Sequence, residues 1–185
     1  EEGTKKVAEY LFTNCPGLEK ITIPEGIETI GNGAFAGCGN LTDIIMPGSV
    51  TTIGNSAFES TGKVKKIEIG RGTVTIADNA FKNCNELEEV SLPDTIETIG
   101  VNAFQNDQKI TGLKLPKNIK TMGYGAFGEC TGLTEIEIPK TLEKVTTYHY
   151  GENNGAFRGC SNLKEVRFEE GTKKVAEYLF TNCPG

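Results

Sequence analysis

The sequence predicts an α/β, mostly β, solenoid. It is a right-handed stack of short coils, each giving one parallel strand, a second short strand and a short helical or 3₁₀ turn. Three observations predict it. The chain repeats itself every 23 residues, a phenylalanine returns at one fixed position of each repeat, and the segment EEGTKKVAEYLFTNCPG at 1–17 returns unchanged at 169–185. Self-similarity at such a period marks a repeat architecture before any single element is assigned.

The whole chain, 1–185, reads as one solenoid. Its repeats are 4–26, 27–49, 50–72, 73–95, 96–118, 119–141, 142–171 and a partial 172–185. Six have 23 residues, and the seventh carries a seven-residue insertion at 146–152. The opening words therefore return in register, one seven-repeat module of 168 residues later. Neighbouring repeats share only a skeleton, so identity across seventeen positions means that a module was copied. The chain reads as one period of a longer array plus an overlap, or as a chain built to look like one.

Within each repeat the elements follow from residue type. Position 9 is Phe12, Phe35, Phe58, Phe81, Phe104, Phe127, Phe157 and Phe180. Position 4 is aliphatic or Met throughout, from Val7 and Ile30 to Met122 and Val175. Positions 15, 18 and 20 are apolar, as in Leu133, Ile136 and Ile138, and Pro24, Pro47, Pro93, Pro116 and Pro139 share the next column. Alternating burial closed by proline predicts a strand over positions 15–20 of every repeat with a corner behind it. Segments such as Ile96-Glu97-Thr98-Ile99-Gly100 predict the second extended piece, and Ala-Phe-x-x-Cys the helical turn. A unit this short cannot bury its own apolar face, but stacked coils bury a continuous one. Stacking at the interstrand spacing makes the Phe column a buried spine, and roughly eight coils a rod of about 35–40 Å.

Composition excludes several classes. The formal charge of −6 lacks the basic stripe that nucleic acid demands. No apolar run approaches the ~20 residues needed to span a bilayer, so no membrane insertion is expected. No signal peptide is present, and a chain beginning with Glu1 reads as processed or as an excerpt.

The pattern C-x-x-L-x-x-I-x-L/I-P followed by I-x-x-I-G-x-x-A-F-x-x-C resembles the BspA-like leucine-rich repeats. Cys130-Thr131-Gly132-Leu133-Thr134-Glu135-Ile136-Glu137-Ile138-Pro139 carries the first half and Ile96 through Phe104 the second. The resemblance covers essentially the full chain and implies a right-handed leucine-rich-repeat solenoid. It further implies a bacterial cell-surface or secreted protein that binds host or neighbouring-cell surface or matrix proteins, and no enzyme. The insertion and the lack of a capping segment depart from the pattern.

Catalytic chemistry finds no foothold. His149 is the only histidine, no Gly-x-Ser-x-Gly supplies a nucleophile, and no base, nucleophile or metal constellation exists. No cofactor and no metal are expected. The sequon Asn40-Leu41-Thr42 is a single short match. All six cysteines, Cys15, Cys38, Cys84, Cys130, Cys160 and Cys183, stand at position 12. Stacked equivalents point the same way, so their Cβ vectors run parallel and no disulfide is expected. Thr61 and Asp107 replace cysteine there, as a column open to solvent would allow.

Binding surfaces remain. Outward strand positions form columns on a concave sheet, and from them Lys20, Ile45, Lys66, Glu89, Lys114, Glu137 and Arg167 are candidate contacts. They contain almost none of the Trp, Tyr and Arg anchors typical of hot spots, so a plain solvated sheet face competes with this reading. The insertion holds Tyr148, His149 and Tyr150, an amphipathic triplet suited to protein contact. A loop folded back over its own solenoid is the alternative. Two functions follow: a non-catalytic, adhesin-like recognition module, or a structural or engineered scaffold that stacks on itself. For the latter, head-to-tail association through 1–17 and 169–185 is expected, because open coil faces that do not close a ring propagate.

Overall fold

The computed structural model describes residues 3–146 and 155–184. Thirteen short strands follow in chain order. They are β1 (Lys6–Val7), β2 (Lys20–Thr22), β3 (Thr29–Ile30), β4 (Asp43–Ile45), β5 (Thr52–Ile53), β6 (Lys66–Glu68), β7 (Thr75–Ile76), β8 (Glu89–Ser91), β9 (Thr98–Ile99), β10 (Thr121–Gly123), β11 (Glu135–Ile138), β12 (Lys144–Thr146) and β13 (Glu165–Phe168). The protein is a mostly-β solenoid of parallel strands, as the repeat predicts.

One sheet runs without interruption through seven strands in the order β1-β3-β5-β7-β9-β10-β12. Its register advances by one repeat at each step, setting Thr29 against Thr52 and Thr52 against Thr75. The apolar residue of each two-residue strand points inward, so Ile30, Ile53, Ile76 and Ile99 are all fully buried.

A third ladder joins the coils where a helical turn was expected. No helix is present among the described residues. Positions 5–12 form chained turns, with Ala34 N–H donating to Gly31 C=O and Ala36 N–H to Gly33 C=O. Left-handed residues break any helical run at positions 7 and 11, among them Gly33 (φ 58°), Gly37 (φ 72°), Asn79 (φ 56°) and Asn83 (φ 61°). Glycine and asparagine tolerate that region best and hold many of these positions, although Tyr10, Ser56, Ser60, Glu129 and Tyr178 adopt it as well. The remaining N–H groups leave the coil. Gly33, Phe35 and Gly37 donate to Asn55, Ala57 and Glu59 of the next coil, each at 2.8 Å.

The phenylalanine spine stacks along this ladder, with neighbouring ring centroids 5.0–5.6 Å apart. Phe58, Phe81, Phe104, Phe127 and Phe157 are fully buried, whereas Phe12 in the first coil is 38% exposed. Burial thus fails where a ring has a neighbour on one side only.

The cysteine column is core, not surface. Cys38, Cys84, Cys130 and Cys160 are buried, and so are Thr61 and Asp107 in the same column. Each inner thiol donates to the carbonyl of the preceding coil's Phe, as Cys38 does to Phe12, Cys130 to Phe104 and Cys160 to Phe127 at 3.1 Å. The polar replacements are held by backbone and not by solvent: Thr61 Oγ1 donates to the Phe58 carbonyl of its own coil at 3.0 Å. Asp107 fills the slot awkwardly. Its Oδ1 accepts the Cys84 N–H at 2.7 Å, while Oδ2 meets no partner among the described residues. Burial pushes its carboxyl well above the usual carboxylate range.

The second sheet is narrower than expected, since its strands hold positions 17–19 or 17–20 instead of 15–20. It is also split. β2-β4-β6-β8 form one part and β11-β13 the other. Repeat 96–118 gives no strand between them, and only the isolated bridge Glu89↔Gly112 touches it. Position 17, Lys, Asp or Glu in the strand-forming repeats, is Gly112 here, and glycine weakens a strand by its entropy and its lack of a side chain to pack.

Candidate functional site

A groove of about 560 Å³ lies over the split. Its floor is Val90, Leu113, Leu115, Ile136 and Pro139; Lys114, Lys117, Glu135, Glu137, Arg167 and Glu169 also line it. Leu113 is half-buried, although its counterparts Ile44, Ile67, Val90 and Ile136 are buried. An apolar floor under polar walls is the ordinary form of a recognition groove. A shallower groove of about 480 Å³ adjoins it through the shared Lys114 and reaches Arg71, Leu92, Pro93 and Asp94.

The charges fall into two sets. Arg167 bridges Glu135 at 3.1 Å and Glu165 at 3.0 Å. Glu169 is held by Lys140, whose backbone N–H and ammonium together keep its carboxyl below the usual range. Lys114, Lys117, Arg71 and Glu137 have no ion-pair partner among the described residues. The regular part of this sheet is different. Lys66 lies 3.1 Å from Glu68 and 3.6 Å from Glu89, and Lys20 lies 3.5 Å from Asp43, so its charges are already spent on one another.

Each sequence-proposed strand residue is exposed: Lys20, Ile45, Lys66, Glu89, Lys114, Glu137 and Arg167. Lys114, Glu137 and Arg167 come together at the groove. Ile45, 62% exposed, sits apart over a small depression with Asp43, Lys66 and Glu68. Tyr148, His149 and Tyr150 lie outside the described residues. The column reading missed the groove itself, whose floor is made of core-pattern residues and whose cause is Gly112. A glycine at a strand position was the available signal. No cluster of three His, Cys, Asp or Glu side chains that would hold a metal occurs among the described residues. No helix among them is long and apolar enough to cross a membrane.

Comparison with solved structures bears on the fold. A leucine-rich repeat protein from Bacteroides ovatus superposes with a TM-score of 0.73 at 27% identity, over 99% of this chain and 63% of that one. A leucine-rich cell surface protein from Faecalibacterium prausnitzii gives 0.65 at 20% identity, over 92% and 59%. The pneumococcal vaccine antigen PcpA gives 0.55 at 22% identity, over 95% and 49%. The chain therefore spans less than two thirds of the length of each. No curated protein sequence matches it. The sequence model of the BspA-type leucine-rich repeat region matches six copies, over residues 5–123 and 152–185. With the ladders and the aromatic spine in place, that match settles the family: the chain belongs to the BspA-type leucine-rich repeats.

Proposed function

We propose that the chain is a non-catalytic protein-binding module of a bacterial surface or secreted protein, with an adhesin-like role. One observation carries this reading. The outward columns of the second sheet present side chains at fixed spacing on a ladder whose inward residues form the core. Such a face is free to vary for a partner without cost to the stack. The cell-surface description of the F. prausnitzii relative supports the location. The test is surface display on the source cells, read by protease shaving, and binding of the chain to a panel of extracellular-matrix and host-surface proteins. Saturable binding of one of them is expected. Absence from the cell surface, or no binding at roughly 10 µM across the panel, overturns the reading. Tyr148, His149 and Tyr150 belong to the same proposal, and Ala at both tyrosines is expected to weaken that binding.

A second reading, a self-stacking scaffold, is favoured by the duplicated segment. Residues 4–17 stack on the coil 27–49, with Phe12 5.4 Å from Phe35. Residues 172–184, which repeat the sequence of 4–16, stack on the other side of the coil 142–171, with Phe180 5.4 Å from Phe157. One segment thus suits both coil faces, and a second copy's residues 4–17 fit where 172–184 lie. Light scattering of the 185-residue chain over a concentration series is expected to show growth by whole chains, and a constant monomer mass excludes it.

A further inference from the structure

Hydrogen bonding around the Asp107 slot departs from the pattern of the other coils. Elsewhere the carbonyl of a spine phenylalanine accepts from the position-12 N–H of its own coil, as Phe35 does from Cys38 and Phe157 from Cys160 at 3.2 and 3.3 Å. Or it accepts from the next coil's thiol, as Phe104 does from Cys130 and Phe127 from Cys160, each at 3.1 Å. Among the described residues the Phe81 carbonyl alone in the spine accepts from neither. Its own Cys84 N–H has turned to Asp107 Oδ1, at 2.7 Å, and the next side chain in the column is Asp107 itself. Two acceptors at one buried slot, the Phe81 carbonyl and Asp107 Oδ2, are thus left without a donor. A carboxylate cannot repair this, because both its oxygens only accept. A carboxylic acid accepts through one oxygen and donates O–H through the other.

We propose that Asp107 is a proton-operated latch: its protonated carboxyl joins the Cys84 N–H to the Phe81 C=O, and loss of that proton frees the lip of the groove. No ion pair reaches Asp107 among the described residues. The titratable groups packed against it are the thiols of Cys84 and Cys130, in the coils on either side, and burial pushes both up. Glu59 and Glu129, which bear on those thiols, are negative and also favour an uncharged Asp107. The lip is segment 107–116, whose first turn is closed by Ile110 N–H donating to Asp107 C=O at 3.3 Å. On either side of it the chain is fixed. Asn106 N–H donates to Gly128 C=O at 2.9 Å, and Lys117 is held by Asp94 Oδ1 at 3.0 Å and by the Thr141 hydroxyl at 2.7 Å. Between these anchors no backbone hydrogen bond joins Gly112–Leu115 to Thr134–Ile138, and the bridge Glu89↔Gly112 is the one ladder contact with the coil before. In the strand-forming coils a ladder holds this segment in place. Here the latch and the missing strand fall in the same coil. Burial raises the carboxyl, whereas in an opened segment it returns to an ordinary ~3.9, so the latch is shut at low pH and opens as pH rises.

The test is native-state amide exchange of the isotope-labelled 185-residue chain from about pH 4 to about pH 8, corrected for the intrinsic pH dependence of exchange. Protection of Cys84 and Ile110 is expected to fall roughly tenfold per pH unit between ~3.9 and the pH at which Asp107 titrates, while Leu133 of the next coil keeps its level. D107N, whose amide accepts and donates at once without titrating, is expected to flatten the profile. The carbon-13 shifts of Asp107 Cγ and the Phe81 carbonyl, followed until Asp107 loses its proton, are expected to move together. A flat profile in the unaltered chain, or an equally steep one in D107N, overturns the proposal. So does Leu133 falling in step, which would make the opening global, or a Phe81 carbonyl that stays in place while Asp107 titrates.

Discussion

Coils 96–118 and 119–141 are neighbours with one template and different fates. Both bury their spine ring, Phe104 and Phe127, and both join the continuous sheet, as β9 and β10. Coil 119–141 then adds a neutral thiol, Cys130, bonded to the Phe104 carbonyl, and the strand β11. Coil 96–118 has Asp107 in the thiol slot and Gly112 where its strand would begin. Losing a strand and burying a carboxyl leaves the stack intact, so the spine, the continuous sheet and the turn ladder define the solenoid. The second sheet is where a coil can depart from its template, and the departure here opens the groove.

That contrast can be attacked at several points. If the spine holds both coils alike, Phe104→Ala and Phe127→Ala each cost about 3–5 kcal/mol in denaturant unfolding. A clearly smaller loss for Phe104 would mean that its coil is already loose around the ring. Next in size is Asp107→Cys, which restores the thiol and removes a buried acid. Burial raises the Asp107 carboxyl well above its unfolded pKa of ~3.9, so the wild-type fold loses stability as pH rises from there to the raised value. The substitution is therefore expected to stabilise by about 1–3 kcal/mol at neutral pH, the range for a buried unsatisfied polar group, and by less at pH 3. Unfolding curves at the two pH values check it, and an equal gain at both would mean that Asp107 does not titrate across this range.

A smaller change is expected from Gly112→Lys, which gives position 17 the residue found at Lys20 and Lys66. A Cβ there meets nothing within 4 Å, so the gain is about 0.5–1 kcal/mol from restricting the unfolded chain. Slower amide exchange at Leu113 and Lys114 would show the ladder closing. The thiols make the mildest test, with no change in stability. Six are expected to titrate in denaturant without reductant. In the native chain Cys84, Cys130 and Cys160 are expected to lag behind Cys15, since burial pushes Cys160 up to about 12 and the two beside Asp107 well above the ordinary value. A deficit of two thiols in denaturant would reveal a bridge.

Much of this was written in plain residue identities. Phe, aliphatic and Pro columns fix the period, the register and the inward face, because equivalent residues in a stacked coil must meet one another. The turn ladder was partly legible too, in the many Gly, Asn and Ser at positions 7 and 11, but Tyr10, Glu129 and Tyr178 also stand there, and Ala-Phe-x-x-Cys resembles a helical turn until those left-handed columns are weighed. The burial of Asp107 was not legible. Its meaning depends on the Cys84 N–H of the preceding coil, which no composition rule displays. The groove needed coordinates for the same reason: Gly112 shows that a strand is weakened, and only the neighbouring edge shows what the weakness exposes.

The turn ladder has one more consequence, for direction. In the five coils from 4–26 to 96–118 the N–H groups at positions 7, 9 and 11 leave toward the following coil, whose carbonyls at 6, 8 and 10 look back, as in Tyr10 to Asn32, Gly33 to Asn55 and Asn79 to Val101. Three peptide dipoles of about 3.5 D per coil therefore add instead of cancelling, a one-way column that most sheets avoid. Along this column one flat side of a coil carries only donors and the other only acceptors. Two like sides brought together by a two-fold axis would set donor against donor. Coils of this protein can be joined in one sense only, and the stack has an arrow as surely as the chain that forms it.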